Sequence, residues 1–317
     1  MKKHKILLPG LLLAGMITSC LNAAEPAVVA VGTPVALTAE TDFFMSPAWS
    51  PAGDVIAVTK SNYYGIYLVS FPAGNVIQLA DEPAVGFGMQ WNHSGSHIAG
   101  RTALFENKRR YNALVTYDVT SGIREQLTDY ATTMPGTPVW TADDEFLYLN
   151  GSDQFHLFAL NPNRSPSQPA SGNAVYVERD GIHLRDLAAA VTTPIQTIPG
   201  RVLNLTISPD GNKLAFEIMG GHLWITRADG SNPIDLGPGN HPAWSPDGSK
   251  LAFMIGTDDG HTYLTADIYV VNADGTGITN LTRSEERLEM NATWSPDGQY
   301  IAYDNMNSGQ IFVQEVR

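Results

Sequence analysis

The sequence predicts an all-β protein built from many short strands joined by tight turns. Its 29 glycines and 20 prolines, spread over 317 residues, favour turns between strands. Hydrophobic residues make up 43% of the chain and charged residues only 16%. This composition is too apolar for a disordered chain, and no long periodic stretch indicates a coiled coil or helical bundle.

One eleven-residue motif recurs six times along the chain. The copies are AWSPAGDVIAV (48–58), QWNHSGSHIAG (90–100), VWTADDEFLYL (139–149), TISPDGNKLAF (206–216), AWSPDGSKLAF (243–253) and TWSPDGQYIAY (293–303). Each copy predicts a strand ending near Trp, a polar turn with Gly, and a second, alternating strand. Most copies continue into a third and a fourth strand, as in DIYVVNADGTGITNLT (267–282).

Repeated four-stranded sheets predict a β-propeller, because radial stacking covers both apolar faces of every sheet. Residues 27–317 divide into seven units of about 42 residues or six of about 48, and blades of this type run about 40–45. The segments 171–187 and 192–200 are interpreted as strands two to four of a fourth unit with an eroded first strand. The sequence therefore predicts seven blades, one of them degenerate, with six as the alternative.

The N-terminal segment of the propeller is predicted to close the ring. The last unit stops after its third strand, 309–316, whereas 33–39 matches 277–283, a fourth strand, in its apolar-x-Leu-Thr spacing. Pairing of these two ends of the chain removes a strand edge that would otherwise stay open.

Two recurring residue types are interpreted as structural. A Trp occupies one repeat position in five copies, which favours wedges between blades over a sugar-stacking surface. An Asp precedes Gly in the SPDG turns, which favours hydrogen bonds to the turn backbone over catalysis or metal binding. These residues are Trp49, Trp91, Trp140, Trp244 and Trp294, and Asp210, Asp247 and Asp297.

The position three residues before each Trp, or its equivalent, is predicted to begin the innermost strand and to line one end of a central channel. Its occupants are Ser46, Gly88, Thr137, Asn204, His241 and Asn291. With Asp42 and Glu289 nearby in sequence, they form the candidate binding mouth. The alternative interpretation is that these positions are polar only because a channel is wet.

The WSPDG turn with the following DIYVVNADGTGITNLT resembles the TolB-type propeller repeat of bacterial periplasmic proteins. The resemblance spans nearly the whole mature chain, which is predicted to begin at Cys20, and by itself favours six blades. TolB partners a peptidoglycan-associated lipoprotein and carries an additional N-terminal domain, for which residues 20–32 are too few. The resemblance therefore implies a scaffold of TolB type and does not identify its partner.

The first residues resemble a lipoprotein signal peptide. Lys2, Lys3 and Lys5 precede an apolar stretch, and Ile17-Thr18-Ser19-Cys20 resembles the lipobox, whose Cys is lipidated. Ordinary cleavage near Ala23 or Ala24 is the alternative, and it fits less well because Leu21 and Asn22 occupy the outer small-residue position.

The expected organisation is a signal peptide at 1–19, a tether at 20–32 and a single propeller at 33–317. The protein is expected to be exported and held in the cell envelope by the lipid on Cys20, in the outer membrane or at its periplasmic face if the cell is Gram-negative.

The sequence predicts a binding function and no catalytic residue, cofactor or metal. A formal net charge of −13 disfavours nucleic-acid binding. The chain has no G-x-S-x-G elbow, no Walker or Rossmann glycine pattern and no metalloprotease His spacing. The predicted function is a monomeric, lipid-anchored scaffold that binds another envelope protein or peptide.

The alternative is a glycan-active enzyme or lectin. Some propellers of this repeat family resemble oligogalacturonate lyases, which gather His ligands and a metal at the channel. The resemblance would make His241, His222 and His183 the residues to follow, and their convergence at one end of the channel would favour the lyase.

Replacing Cys20 with Ala is expected to abolish fatty-acid labelling and to release the protein from the membrane fraction, because acyl chains supply stable attachment. Metabolic labelling with a fatty-acid analogue, followed by fractionation, measures both effects. A variant that still labels would disprove the assignment.

Overall fold

The computed structural model describes residues 26–151, 155–160, 172–178, 181–195, 198–284 and 287–317. Within these ranges the chain forms seven antiparallel sheets, and neighbouring sheets in the chain contact each other around a ring. The all-β class and the seven-bladed propeller are confirmed. The six-blade alternative, which the TolB resemblance favoured, is wrong because 173–195 forms its own sheet.

Blades 1 to 3 contain eleven of the strands beside a short 3-10 turn, Ser61–Tyr63. Blade 1 has β2 (Phe44–Trp49), β3 (Val55–Lys60), β4 (Tyr64–Ser70) and β5 (Val76–Ala80), after an N-terminal strand, β1 (Ala30–Ala36). Blade 2 has β6 (Gln90–Trp91), β7 (His97–Glu106), β8 (Arg109–Asp118) and β9 (Arg124–Gln126). Blade 3 has β10 (Pro138–Trp140), β11 (Phe146–Leu149) and β12 (Phe158–Ala159).

Blades 4 to 7 complete the ring. Blade 4 has β13 (Asn173–Glu178), β14 (Gly181–Asp186) and β15 (Val191–Ile195). Blade 5 has β16 (Val202–Ile207), β17 (Lys213–Ile218), β18 (Leu223–Arg227) and β19 (Ile234–Asp235). Blade 6 has β20 (Asn240–Trp244), β21 (Lys250–Asp258), β22 (Tyr263–Asn272) and β23 (Thr279–Asn280). Blade 7 has β24 (Glu289–Trp294), β25 (Tyr300–Asn305) and β26 (Gln310–Val316).

The turn between the first two strands is built by a Ser–Asp pair. In blade 6, the Ser245 hydroxyl donates to Asp247 Oδ1 at 2.6 Å and accepts from the Lys250 N–H at 2.9 Å. This bond from Ser245, followed by the bond from the Ser249 N–H, lowers the pKa of Asp247 to about 2. Asp210 and Asp297 accept from Ser208 and Ser295 in the same way. The predicted turn role of these acids is confirmed.

The recurring Trp residues are wedged between blades, as predicted. The indole of Trp294 is 7% exposed and packs within an apolar cluster shared by blades 6 and 7. Its Nε1–H donates to the Ala243 carbonyl of blade 6 at 3.2 Å. Trp91 and Trp140 make the equivalent bond to the blade before them, at 3.0 Å and 3.1 Å. These three wedges therefore join apolar burial to one hydrogen bond across the blade interface, whereas the buried Nε1 of Trp49 and of Trp244 has no acceptor among the described residues.

The N-terminal strand closes the ring. Strand β1 pairs antiparallel with β26 and completes blade 7, with Ala30 opposite Val316. The strand begins three residues before the predicted 33 and ends at Ala36, although the Leu37 N–H still donates to the Ile311 carbonyl at 2.8 Å. Ala27 and Val28 are buried in the same apolar cluster. The apolar-x-Leu-Thr spacing at 33–39 predicted only the second half of this N-terminal contact.

Residues 1–25 lie outside the described ranges, so the signal peptide and the lipidation of Cys20 stay predictions. No helix within the described residues is both long enough and apolar enough to cross a bilayer.

Deleting residues 26–38 is expected to open the ring, because it exposes the edge of β26 and part of the apolar cluster between blades 6 and 7. Loss of a few hundred Å² of apolar burial, at about 25 cal/mol per Å², corresponds to about 5 kcal/mol or more of the free energy of unfolding. Urea denaturation measures the change. The control is Val35→Thr, since Val35 is 64% exposed and only its backbone pairs. An unchanged urea midpoint in the deletion variant would refute the closure.

Candidate functional site

The ring encloses one central cavity of about 1060 Å³. Every blade contributes to its lining, including blade 4 through Val177. The lining runs from the starts of the innermost strands to the turns at their other ends, where Pro51, His93 and Pro296 lie. The cavity is therefore a channel through the propeller. The channel mouth is the end lined by the strand starts.

All six residues predicted to begin the innermost strands line this cavity. Five of them have positive φ angles, between 47° and 61°: Ser46, Gly88, Asn204, His241 and Asn291. In blades 1, 5, 6 and 7 the strand register shifts at the same place, which defines a β-bulge. Gly and Asn tolerate the left-handed region better than other residues. The backbone therefore explains part of the residue choice at this position.

Two buried acids behind the mouth were missed by the sequence analysis. In blade 5, Glu217 Oε1 accepts from Asn204 Nδ2 of the same blade at 2.7 Å and from the His241 N–H of blade 6 at 2.6 Å. Each of these acids lies opposite the residue before the bulge, Leu203 or Met290. The sequence signal that could have located them is an acidic residue in an otherwise apolar strand, in LAFEI (214–218) and IAYDN (301–305).

The second acid ties blade 7 to blade 1. Asp304 Oδ1 accepts from Asn291 Nδ2 at 2.8 Å and from the Ser46 N–H of blade 1 at 2.9 Å. The side chain is 2% exposed, and burial raises the pKa of Asp304 to about 6 in spite of both hydrogen bonds. The amides of Asn204 and Asn291 are thus engaged within the fold, whereas the His241 side chain is exposed at the mouth.

The structure does not bring Asp42 or Glu289 to the cavity lining. Asp42 is half-buried and its Oδ2 accepts from the Ala39 N–H at 3.3 Å, within the loop before β2. Glu289 is fully buried, with Oε1 3.7 Å from Nε of Arg287, and burial raises its pKa to about 7. Closeness in sequence to the mouth did not give closeness to the cavity, because Asp42 bonds within its own loop and Glu289 points into packed protein.

The three histidines of the lyase alternative do not converge. His241 lines the cavity, whereas His222 Nδ1 lies 2.8 Å from Asp235 Oδ1 on blade 5 and His183 stacks on Tyr176 in blade 4. Across the part of the chain that the structure describes, no three His, Cys, Asp or Glu side chains lie close enough to hold a metal ion.

Fold and site together define a seven-bladed β-propeller with an open channel lined by both polar and apolar side chains. No family model matches the sequence. An uncharacterized protein from Agrobacterium fabrum is 26% identical over 187 residues, which cover 57% of this chain and 54% of that protein. The chain thus spans about half the length of the curated relative it matches.

Solved structures similar to this chain are also propellers. The β-propeller domain of Cps50 (Swd1) from Myceliophteria thermophila superimposes with a TM-score of 0.61 at 10% identity, covering 91% of this chain and 99% of that domain. This likeness supports the fold. A putative TolB from Agrobacterium tumefaciens gives a TM-score of 0.49 at 19% identity, with 86% of this chain and 89% of that chain covered.

The Asp304 carboxyl is expected to make stability depend on pH. Its pKa rises from about 4, the usual value of an Asp, to about 6 in the folded protein, so the folded state holds this proton more tightly than the unfolded state. Its contribution is therefore most favourable below about pH 4 and falls by about 3 kcal/mol as the pH rises past 6.

The isosteric variant Asp304→Asn tests this prediction, because it cannot ionise. Urea unfolding from pH 4 to 7 should show the wild type losing stability relative to the variant across that range. Other carboxyls, including Glu289, are shared by both proteins and cancel in the difference. Parallel curves would show that Asp304 titrates normally.

Proposed function

We propose that this protein is a lipid-anchored envelope scaffold that binds another protein or a peptide at the mouth of its central channel. The observation that carries the proposal is the open channel of about 1060 Å³, whose lining combines aromatic, polar and basic side chains. Pockets that combine apolar surface with a few polar groups are the usual binding sites of proteins. Within the described residues the histidines do not converge on a possible metal site, so the glycan alternative gains no support from them.

The position of the N-terminus supports this choice of binding surface. The Ala27 N–H donates to the Gly277 carbonyl, in the turn after β22, and the Val29 N–H donates to the Arg317 carbonyl, after β26. Both contacts lie at the end of the sheets that carries the WSPDG turns, opposite the channel mouth. Six residues lie between Cys20 and Ala27, so the two Cα atoms are at most about 25 Å apart when the segment is extended. A lipid on Cys20 would hold the turn face near the bilayer and leave the mouth open to a partner.

Placing a photo-cross-linking phenylalanine analogue at Phe87 tests the proposal, because Phe87 lines the mouth and is 36% exposed. We expect a defined covalent adduct with one envelope protein or peptide in intact cells. Thr206→Trp, added to the same chain, fills the channel from β16 and should reduce the adduct about tenfold, as loss of a buried contact does.

Val191→Trp is the matched control, since Val191 lies on the outer strand of blade 4 and is 56% exposed. It should leave the adduct unchanged. Absence of any adduct at position 87, or equal adducts in the two Trp variants, would refute binding at the mouth.

A further inference from the structure

Two arginines beside the channel mouth have no acidic partner among the described residues. Arg101 lies on β7 and lines the cavity, and Arg110 lies on the paired strand β8. Neither forms an ion pair with any acid in the described ranges, although the chain carries 32 Asp and Glu against 19 Lys and Arg. Among the described residues that line the cavity, Arg101 and Arg201 are present and no Asp or Glu is.

The Arg101 guanidinium is held in place. Its Nη1 donates to the carbonyls of Met134 and Gly136, in the loop that leads into blade 3. Its Cζ lies 5.1 Å from the ring centre of Phe87, and Phe87 in turn packs edge-on against Tyr63 at 4.9 Å. A group fixed in this way loses little conformational freedom when it binds a ligand.

Part of this guanidinium is left unsatisfied. Arg101 Nε is buried and has no hydrogen-bond acceptor among the described residues. Arg101 and Phe105 lie on one face of β7, and Arg110 pairs with Phe105 from β8, so the two arginines share a face of the hairpin. Burial lowers the pKa of Arg101 first, and the positive charge of Arg110 lowers it further. Two neighbouring positive charges without a counter-charge are unfavourable, and a bound anion would offset that repulsion.

Arg101 differs in charge from the residues at the same repeat position in two other blades. It stands ten residues after Trp91, as Glu217 stands after Ile207 in blade 5 and Asp304 after Trp294 in blade 7. The other copies carry the uncharged Thr59, Asn150 and Met254 there. Those acids accept backbone N–H groups from the next blade, whereas Arg101 donates to backbone carbonyls of the next blade. Blade 2 is thus also hydrogen-bonded to the next blade, but through a cation instead of an anion. Blade 2 therefore presents a cation where blades 5 and 7 bury an anion.

We infer that Arg101 and Arg110, together with the ring of Phe87, form a subsite that binds a carboxylate of an acidic peptide segment at the channel mouth. This inference rests on the proposed function and names the chemistry of its ligand. Arginine pairs well with carboxylates through charge-assisted hydrogen bonds.

Apolar side chains beside the arginines favour a peptide over a small anion. Phe87 and Phe105 are 36% and 64% exposed, and Phe105 lies directly opposite Arg110 on the face of the hairpin that also carries Arg101. A segment that alternates acidic and apolar residues matches this surface. Lys108 and Arg109 at the hairpin tip add positive charge, and Glu106 is the one acid between Arg101 and Arg110.

Titration calorimetry with two acetylated hexapeptides tests the inference, one alternating Glu and Leu and the other alternating Gln and Leu. We expect the purified protein to bind the Glu peptide, with an affinity that falls as salt rises, and to bind the Gln peptide at least about tenfold more weakly. Equal binding of the two peptides would overturn the inference.

Arg110→Gln should weaken binding of the Glu peptide about tenfold without removing the tie that Arg101 makes to blade 3. Arg227→Gln is the matched control, since Arg227 is exposed at the end of β18 that lies opposite Lys213, beside the SPDG turn of blade 5. Equal effects of these two substitutions would overturn the inference. Thermal unfolding of both variants shows that the fold is intact.

Inorganic phosphate is the third probe. Binding of phosphate that depends on Arg110, with no binding of the Glu peptide, would assign the subsite to a small anion and overturn the peptide ligand. The cross-link at position 87 separates this inference from the proposed function. If Arg110→Gln keeps the adduct that Thr206→Trp removes, the mouth binds its partner but not through an acidic segment.

Discussion

A blade of this protein has two apolar faces, and only its two neighbours can cover them. Each sheet therefore depends on the next, and the ring depends on the pairing of β1 with β26. The apolar cluster at that closure includes Ala27 and Val28 with residues of blades 6 and 7. The core is thus completed by contacts between residues from opposite ends of the sequence.

The residues at the channel mouth serve first as joints between blades. Ser46 and His241 give their backbone N–H groups to an acid of the preceding blade, and Asn204 and Asn291 give their amides to the same acids. Buried acids need such partners because an unpaired buried charge is costly. Many of the polar groups at this repeat position are therefore hydrogen-bonded within the protein. The His241 side chain remains exposed to a ligand.

The sequence predicted those features whose cause is local. The Ser–Asp turns follow from residues within five positions of each other, and the recurring Trp follows from a repeated interface. The missed features depend on register between strands or between blades. Glu217 and Asp304 look like surface acids until the bulge of the next blade is placed against them. Asp42 and Glu289 were assigned to the mouth by nearness in sequence, which does not tell a side chain that faces the channel from one that faces a loop or the core.

The joints also divide the mouth by charge. Between blades 5 and 6 and between blades 7 and 1, the joint is a buried carboxylate whose charge is satisfied by N–H donors. Between blades 2 and 3 the joint is Arg101, whose Nε is left without an acceptor among the described residues. A carboxylate that already accepts hydrogen bonds has little to gain from a ligand, whereas a cation without a counter-charge is stabilised by a bound anion. Binding strength at this mouth is therefore expected to be concentrated on the side of blades 2 and 3, although the ring looks evenly polar in sequence.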